Sequence, residues 1–194
     1  MNRDQQQIAF ILEIDRLKTI FRRSYLTDCS RFENDAEHSW YFALIALVLR
    51  EHAPHDVDIF RVMKMALIHD IVEIDAGDVI LYDEEARKNQ VAKEEAAAER
   101  IFGILPPDQG VELFSLWREF EEGATVDARY ARAVDRFSSI ILNYATGGRS
   151  WMEHGITISQ VKRANREVIE GASPWMWQIV EKMIDETFQR KNSK

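Results

Sequence analysis

The chain has 194 residues, 46% of them hydrophobic and 30% charged, with only 8 Gly and 4 Pro. That composition suits one well-packed domain and excludes a disordered tail, a collagen-like fibre and a disulfide-stapled mini-scaffold. Lys and Arg number 25 against 33 Asp and Glu, a net charge of −8. This balance speaks against a nucleic-acid polymer as partner, since a phosphate backbone needs a broad basic face, whereas a small anionic substrate needs only one local cationic spot. Cys29 is alone, so no disulfide can form within the chain, which suits a reducing compartment. Residues Met1 to Gln7 are polar, unlike a signal peptide, and the longest apolar stretch, Tyr41 to Leu49, is far short of a membrane span. The expectation is a cytoplasmic protein with no membrane partner.

Helical periodicity runs through nearly every segment, and no stretch alternates over the length a strand needs. Ile8, Ile11, Ile14, Leu17 and Phe21 mark a first helix. Phe42, Ile45 and Leu49 mark a second, with Asn34 or Asp35 as its cap. Val62, Met65, Ala66 and His69 mark a third after Pro54, with His55-Asp56 or Asp58 capping its start. A polar helix follows from about Asp83 to Phe102, with an apolar stripe at Val91, Ala98, Ile101 and Phe102 and its Glu/Ala/Lys face in solvent. Pro106-Pro107 opens a helix ending near Glu122-Gly123, and another spans about Val126 to Tyr144 before Gly147-Gly148. The last two cover about Ser159 to Ile169 and Pro174 to Arg190. The expected fold class is all-α, a single globular domain over 1–194 of about eight helices, with the motifs in about 11–142 and helices over 159–190 packing on them. Trp117, Trp151, Trp175 and Trp177 read as core or interface residues, and Trp40, two residues after His38, as the aromatic that lines a pocket.

The chemistry concentrates around one of two His-Asp dipeptides. His69-Asp70 interrupts the apolar run Met63 to Val72, where an unpaired charge is expensive to bury. Glu73 lies four residues after His69 and three after Asp70, so the three project toward one helical face, and Gly77-Asp78 follows. His38 shares a face with Phe42, Ile45 and Leu49. Asp135 shares one with Ala128, Ala131, Ser139 and Leu142, small residues that leave room around a buried carboxylate. Each has a bland account when taken singly: an inward His is more often a satisfied core residue, Asp135 could pair with Arg132 or Arg136, and Glu73 could be a solvated acid. Together His38 and His69 with two of the carboxylates form an N/O set drawn from three helices, suited to Mn, Co, Fe, Ni or Zn and less to Mg.

The segment Ser30-Arg31-Phe32-Glu33-Asn34-Asp35-Ala36-Glu37-His38-Ser39 is one of four motifs that occur in a familiar order. With the string from His69 to Asp78, Ala128-Arg129-Tyr130 and Ala133-Val134-Asp135-Arg136, it resembles the HD-domain metal-dependent phosphohydrolases. The nearest branch is that of the bacterial 5′-deoxynucleotidases and their eukaryotic HD-domain-containing relatives. The resemblance covers about Ile11 to Leu142. It implies that His38, His69, Asp70 and Asp135 hold one divalent cation, that Glu73 orients or deprotonates the attacking water, and that Asp78 contacts the sugar or assists the leaving group. It also implies a phosphate clamp near the end of the first helix, where either Arg22 or Arg23 fits. The bacterial enzymes follow that Arg with a Trp that helps read the sugar, whereas here Arg22 is followed by Arg23 and Arg23 by Ser24. The implied activity is hydrolysis of nucleoside 5′-monophosphates, and the implied assembly a homodimer. An HD-type phosphodiesterase or nucleoside polyphosphate hydrolase is the competing enzyme reading. A non-catalytic, metal-stabilised helical interaction protein is the reading from another class, and it has no need of Glu73 or the arginines.

Overall fold

A computed structural model describes residues 1–83, 85 and 88–192. Helix α1, Arg3–Ile14, is opened by a reciprocal capping box between Asn2 and Gln5. It tightens into a 3-10 turn, Asp15–Thr19, and then stops. The apolar series from Ile8 to Phe21 is therefore not one helix. Phe21–Tyr25 forms strand β1, paired antiparallel with β2, Phe32–Asn34. The hairpin closes on a tight turn in which the Asp28 side chain accepts from the Ser30 N–H and Cys29 adopts φ +58°. An irregular register between Phe21 and Tyr25 breaks the two-residue alternation, which hides so short a strand from its own sequence pattern.

Strand β2 runs directly into α2, Asp35–Val48, whose N-cap is Asn34, again with a capping box to Glu37. Helix α3, Ile59–Ile68, is capped by Asp58, which accepts from the N–H groups of Phe60 and Arg61, so His55-Asp56 is not the cap. The chain then narrows into a 3-10 turn, His69–Val72, and a single turn α4, Glu73–Ala76. Gly77 follows at φ +75°, a left-handed conformation that turns the chain sharply before Asp78. Helix α5, Gln90–Phe102, begins later than the sequence pattern suggests; residues 84, 86 and 87 of the expected helix lie outside the described residues. Its apolar stripe is Ala97, Ala98, Ile101 and Phe102, while Val91 is exposed.

Helices α6 (Pro107–Glu122), α7 (Val126–Ala145), α8 (Arg149–Glu153), α9 (Ile158–Ala172) and α10 (Pro174–Asn192) complete the chain. Helix α7 is the central element, touching α2, α3, α6, α9 and α10. Its small residues Ala128, Ala131 and Ala133 are fully buried, which lets neighbouring backbones approach. Tyr130, Phe42, Phe102 and Ile140 fill the core around it. The fold is all-α apart from the hairpin, and α9 and α10 pack on α7 and on each other. Trp117, Trp151 and Trp177 are buried, and Trp175 stacks on the His52 ring at 3.5 Å between centroids. No helix among the described residues is long and apolar enough to cross a membrane.

Candidate metal centre

Each inward residue owes its position to a local feature of its element. The Asn34 cap fixes where α2 begins, and His38, one turn in, is fully buried. His38 Nδ1 lies 3.3 Å from Glu33 Oε2 and its Nε2 lies 2.9 Å from Asp135 Oδ1, so one ring bridges β2 and α7. His69 ends α3, its Nδ1 2.9 Å from the Ala66 carbonyl oxygen. A carbonyl only accepts, so Nδ1 carries a proton, and in the neutral ring Nε2 keeps its lone pair. That Nε2 is buried and has no hydrogen-bond partner within the protein. The two imidazoles stand 5.4 Å apart, with the edges of Phe42 and Phe120 against His69.

One donor atom from each of His38, His69 and Asp135 lies within 4.8 Å of the others. Nitrogen and carboxylate donors with one nitrogen orphaned in a buried wall fit a borderline divalent cation. The Glu33 carboxylate behind His38 is the kind of outer partner that orients a ligating imidazole. Asp70 is beside the group rather than in it: its Oδ2 is 3.2 Å from His69 Nε2 and accepts a hydrogen bond from Arg22 Nη1.

Arg22 sits among carboxylates. Its guanidinium also lies 3.7 Å from Asp35, 3.9 Å from Asp78 and 3.9 Å from Asp135. Burial opposes every charge here, and the mutual pairing decides which groups keep theirs. Burial would raise Asp135, yet the His38 hydrogen bond and the His38 and His69 charges hold it far below the usual carboxylate range. Asp70 is likewise held low against burial, by His69 and Arg22. Burial and the Arg22 charge work against protonating His38, but hydrogen bonds to Asp135 and Glu33 carry it up to about 9. Burial, then the Asp70 charge, pushes Glu73 up to about 10 and Asp35 to about 8. The set is short of positive charge, which is what a bound cation relieves.

These groups open into a cleft of about 260 Å³ lined by Arg22, Arg23, His69, Asp70, Glu73, Asp78 and Asp135, with Tyr82, Ile140 and Asn143 also on its wall. The cleft therefore brings together every sequence-expected residue except two. His38 is sealed behind its wall at 0% exposure. Trp40 is 61% exposed and does not line the cleft, because two residues along a helix rotate a side chain about 200° away from its neighbour. Arg22 and Arg23 lie on β1 rather than at a helix end, and their alternation separates them: Arg22 is half-buried at the centre and Arg23 exposed at the rim. Asp135 pairs with His38, not with Arg132, which donates to the Phe120 and Glu121 carbonyls at the end of α6. Sequence reasoning overlooked Glu33, Asp35 and Gln90. Glu33 and Asp35 flank the cap of α2 and could have been found as acids beside an inward histidine; Gln90 carries no such signal.

A family model described as HD domain matches residues 14–177. The bovine protein named 5′-deoxynucleotidase HDDC2 is 28% identical over 136 residues, covering 69% of this chain and 64% of the relative. Its Dictyostelium discoideum counterpart is 28% identical, covering 71% and 75%. The chain thus spans just under two thirds of the length of the mammalian relatives it matches. A crystal structure from Magnetospirillum magnetotacticum, described as a predicted metal-dependent phosphohydrolase, is 45% identical, covers 97% of both chains and superposes with a TM-score of 0.91. With the model match running from α1 to α10 and the two histidines and Asp135 gathered in one wall, this chain belongs to the HD domain family.

Proposed function

We propose that the protein is a metal-dependent phosphohydrolase of nucleoside 5′-monophosphates. The observation that carries the reading is the buried His69 Nε2, with no hydrogen-bond partner, facing a cleft that also holds the Arg22 guanidinium and the acids Glu73 and Asp78. The names of the relatives, 5′-deoxynucleotidase and metal-dependent phosphohydrolase, support it. His38, His69 and Asp135 would hold one divalent cation, with Asp70 beside them as the fourth ligand. Such an ion supplies Lewis acidity to the phosphoryl group and to a water, together with the positive charge the carboxylates lack. His38 is fixed for this by Glu33, and His69 by the Ala66 carbonyl. Arg22 donates to the phosphate oxygens from the centre of the cleft, with Arg23 meeting them at the rim. The positive charge of a bound cation would return the raised Glu73 to its carboxylate form, in which it accepts the water proton, and Asp78, just past the Gly77 turn, meets the sugar or the departing oxygen. Arg132 is committed to capping α6 and takes no part.

Phosphate release from ribo- and deoxynucleoside 5′-monophosphates, 3′-monophosphates and a cyclic nucleotide, with metal analysis of the same sample, tests the reading. Release from the 5′-monophosphates alone is expected. Turnover of the cyclic nucleotide only would transfer the site to diester hydrolysis, and metal uptake with no turnover would leave a scaffold. In Glu73→Gln the metal should stay and kcat should fall by roughly 10²–10⁴, the range for a lost general base. The protein acts as a homodimer in the cytoplasm; a lone cysteine supports the compartment, and exposed Trp40, Leu44 and Val48 along α2, with Phe60 on α3, support the pairing. A monomer by sedimentation at micromolar concentration would remove the pairing.

A further inference from the structure

Gln90 is the first residue of α5 and is 5% exposed, although a long polar side chain at a helix start ordinarily reaches solvent. Its Nε2 donates to the Gly77 carbonyl at 2.8 Å and lies 3.4 Å from Glu73 Oε2. Both partners are acceptors, so only the amide end with two N–H groups can face them. A glutamate or a thioether of the same length would fit the space and satisfy neither. One side chain thus holds the carboxylate assigned as proton acceptor and the left-handed turn that delivers Asp78 to the cleft.

We propose that Gln90 is a positioning residue: it sets the rotamer of Glu73 and pins the Gly77 turn, so that two acids from one loop meet the substrate together. The proposal rests on the reading of Glu73 as proton acceptor. Glu73 is buried on a helix of a single turn, where the four backbone N–H groups have no fixed side-chain cap. A carboxylate there has several rotamers, and a donor anchored across 17 residues of sequence selects one. A purely structural tie between α5 and the turn would need only the Gly77 contact.

The test is a double-mutant cycle on the metal-loaded protein with deoxyadenosine 5′-monophosphate. Gln90→Met keeps length and removes the donor; Gln90→Glu keeps shape and replaces the donor by a like charge. Both should fold and hold wild-type metal content, with KM within about twofold and kcat lower by roughly tenfold or more, the scale at which outer partners of a metal site act. In a Glu73→Gln background, Gln90→Met should cost nothing further, because the group it positions is gone. An equal loss in both backgrounds, or a loss confined to KM, overturns the proposal. A crystal structure of Gln90→Met gives a readout that needs no activity. The Glu73 carboxylate should leave its place or split between rotamers, and finding it unmoved at full occupancy overturns the proposal as well. If Glu73→Gln alone keeps wild-type kcat, the proton-acceptor reading falls instead, and the crystallographic arm still decides what Gln90 does.

Discussion

His69 turns one nitrogen to the Ala66 carbonyl and the other into the site, so truncating it removes a donor that nothing nearby can replace. His69→Ala is expected to abolish tight binding of a divalent cation, and full occupancy in that variant by elemental analysis would refute the ligand set. His52, stacked on Trp175, and His55, fully in solvent, should be replaceable without loss of metal, as should His154, whose Nδ1 hydrogen-bonds the Ser150 carbonyl. Arg22→Ala should raise KM for a 5′-monophosphate by roughly 10–100-fold, the equivalent of about 1.5–3 kcal/mol for hydrogen bonds to a charged group, while Arg23→Ala does less. Equal effects of the two would place the clamp elsewhere. At this scale the sequence is a good guide where a polar residue interrupts an apolar helical face, as with His38, His69 and Asp135. It fails for Trp40, since nearness along the chain is not nearness across a helix, and for the separation of Arg22 from Arg23, which follows from a strand the pattern does not reveal.

Elements place these residues through their ends. The register of α2 is set by the Asn34–Glu37 capping box, one turn before His38. Asn34→Ala should cost about 1 kcal/mol, or roughly 2–4 °C in Tm for a domain of this size, and weaken metal affinity as the first turn frays. A calorimetric scan that finds the Tm unchanged would mean that β2, and not the cap, holds the start of the helix. Among the described residues, the eight helices of ten or more residues were readable because their apolar residues recur every three or four positions and Asn, Asp, Thr, Pro or Gly mark their ends. The hairpin was not: five residues with two adjacent arginines and a broken register offer no alternation to detect. Nor was the narrowing after α3, where His69–Val72 and Glu73–Ala76 follow one another without any change of composition.

At the scale of the whole molecule, Asp35, Asp70, Asp78 and Asp135 gather around Arg22 at the candidate metal centre, with Glu73 on the same cleft. Chelation should therefore lower the Tm. A cation present at 100 times its Kd contributes about 2.7 kcal/mol, which for a chain of this length is on the order of 5–10 °C. The shift should vanish in His69→Ala, and an identical shift there would mean that the ion binds somewhere else. The packing of α9 and α10 on α7 keeps Ile140 and Asn143 in place on the wall of the cleft, so residues far from any motif still shape what it admits.

The contact between His38 and Asp135 joins residues 97 apart in the chain. During synthesis no emerging segment that stops short of α7 can present the complete set of donors, however well its own helices have formed. At about 5–20 residues per second, the interval between the two ends of that contact is on the order of 5–20 s, during which His38 waits beside an acid-rich strand end without its partner. Loading of a cation at this site would then be a late event in the life of the nascent chain. Ribosome-stalled chains of increasing length should take up the cation in one step, once Asp135 has cleared the exit tunnel, and gradual uptake from shorter chains would contradict this.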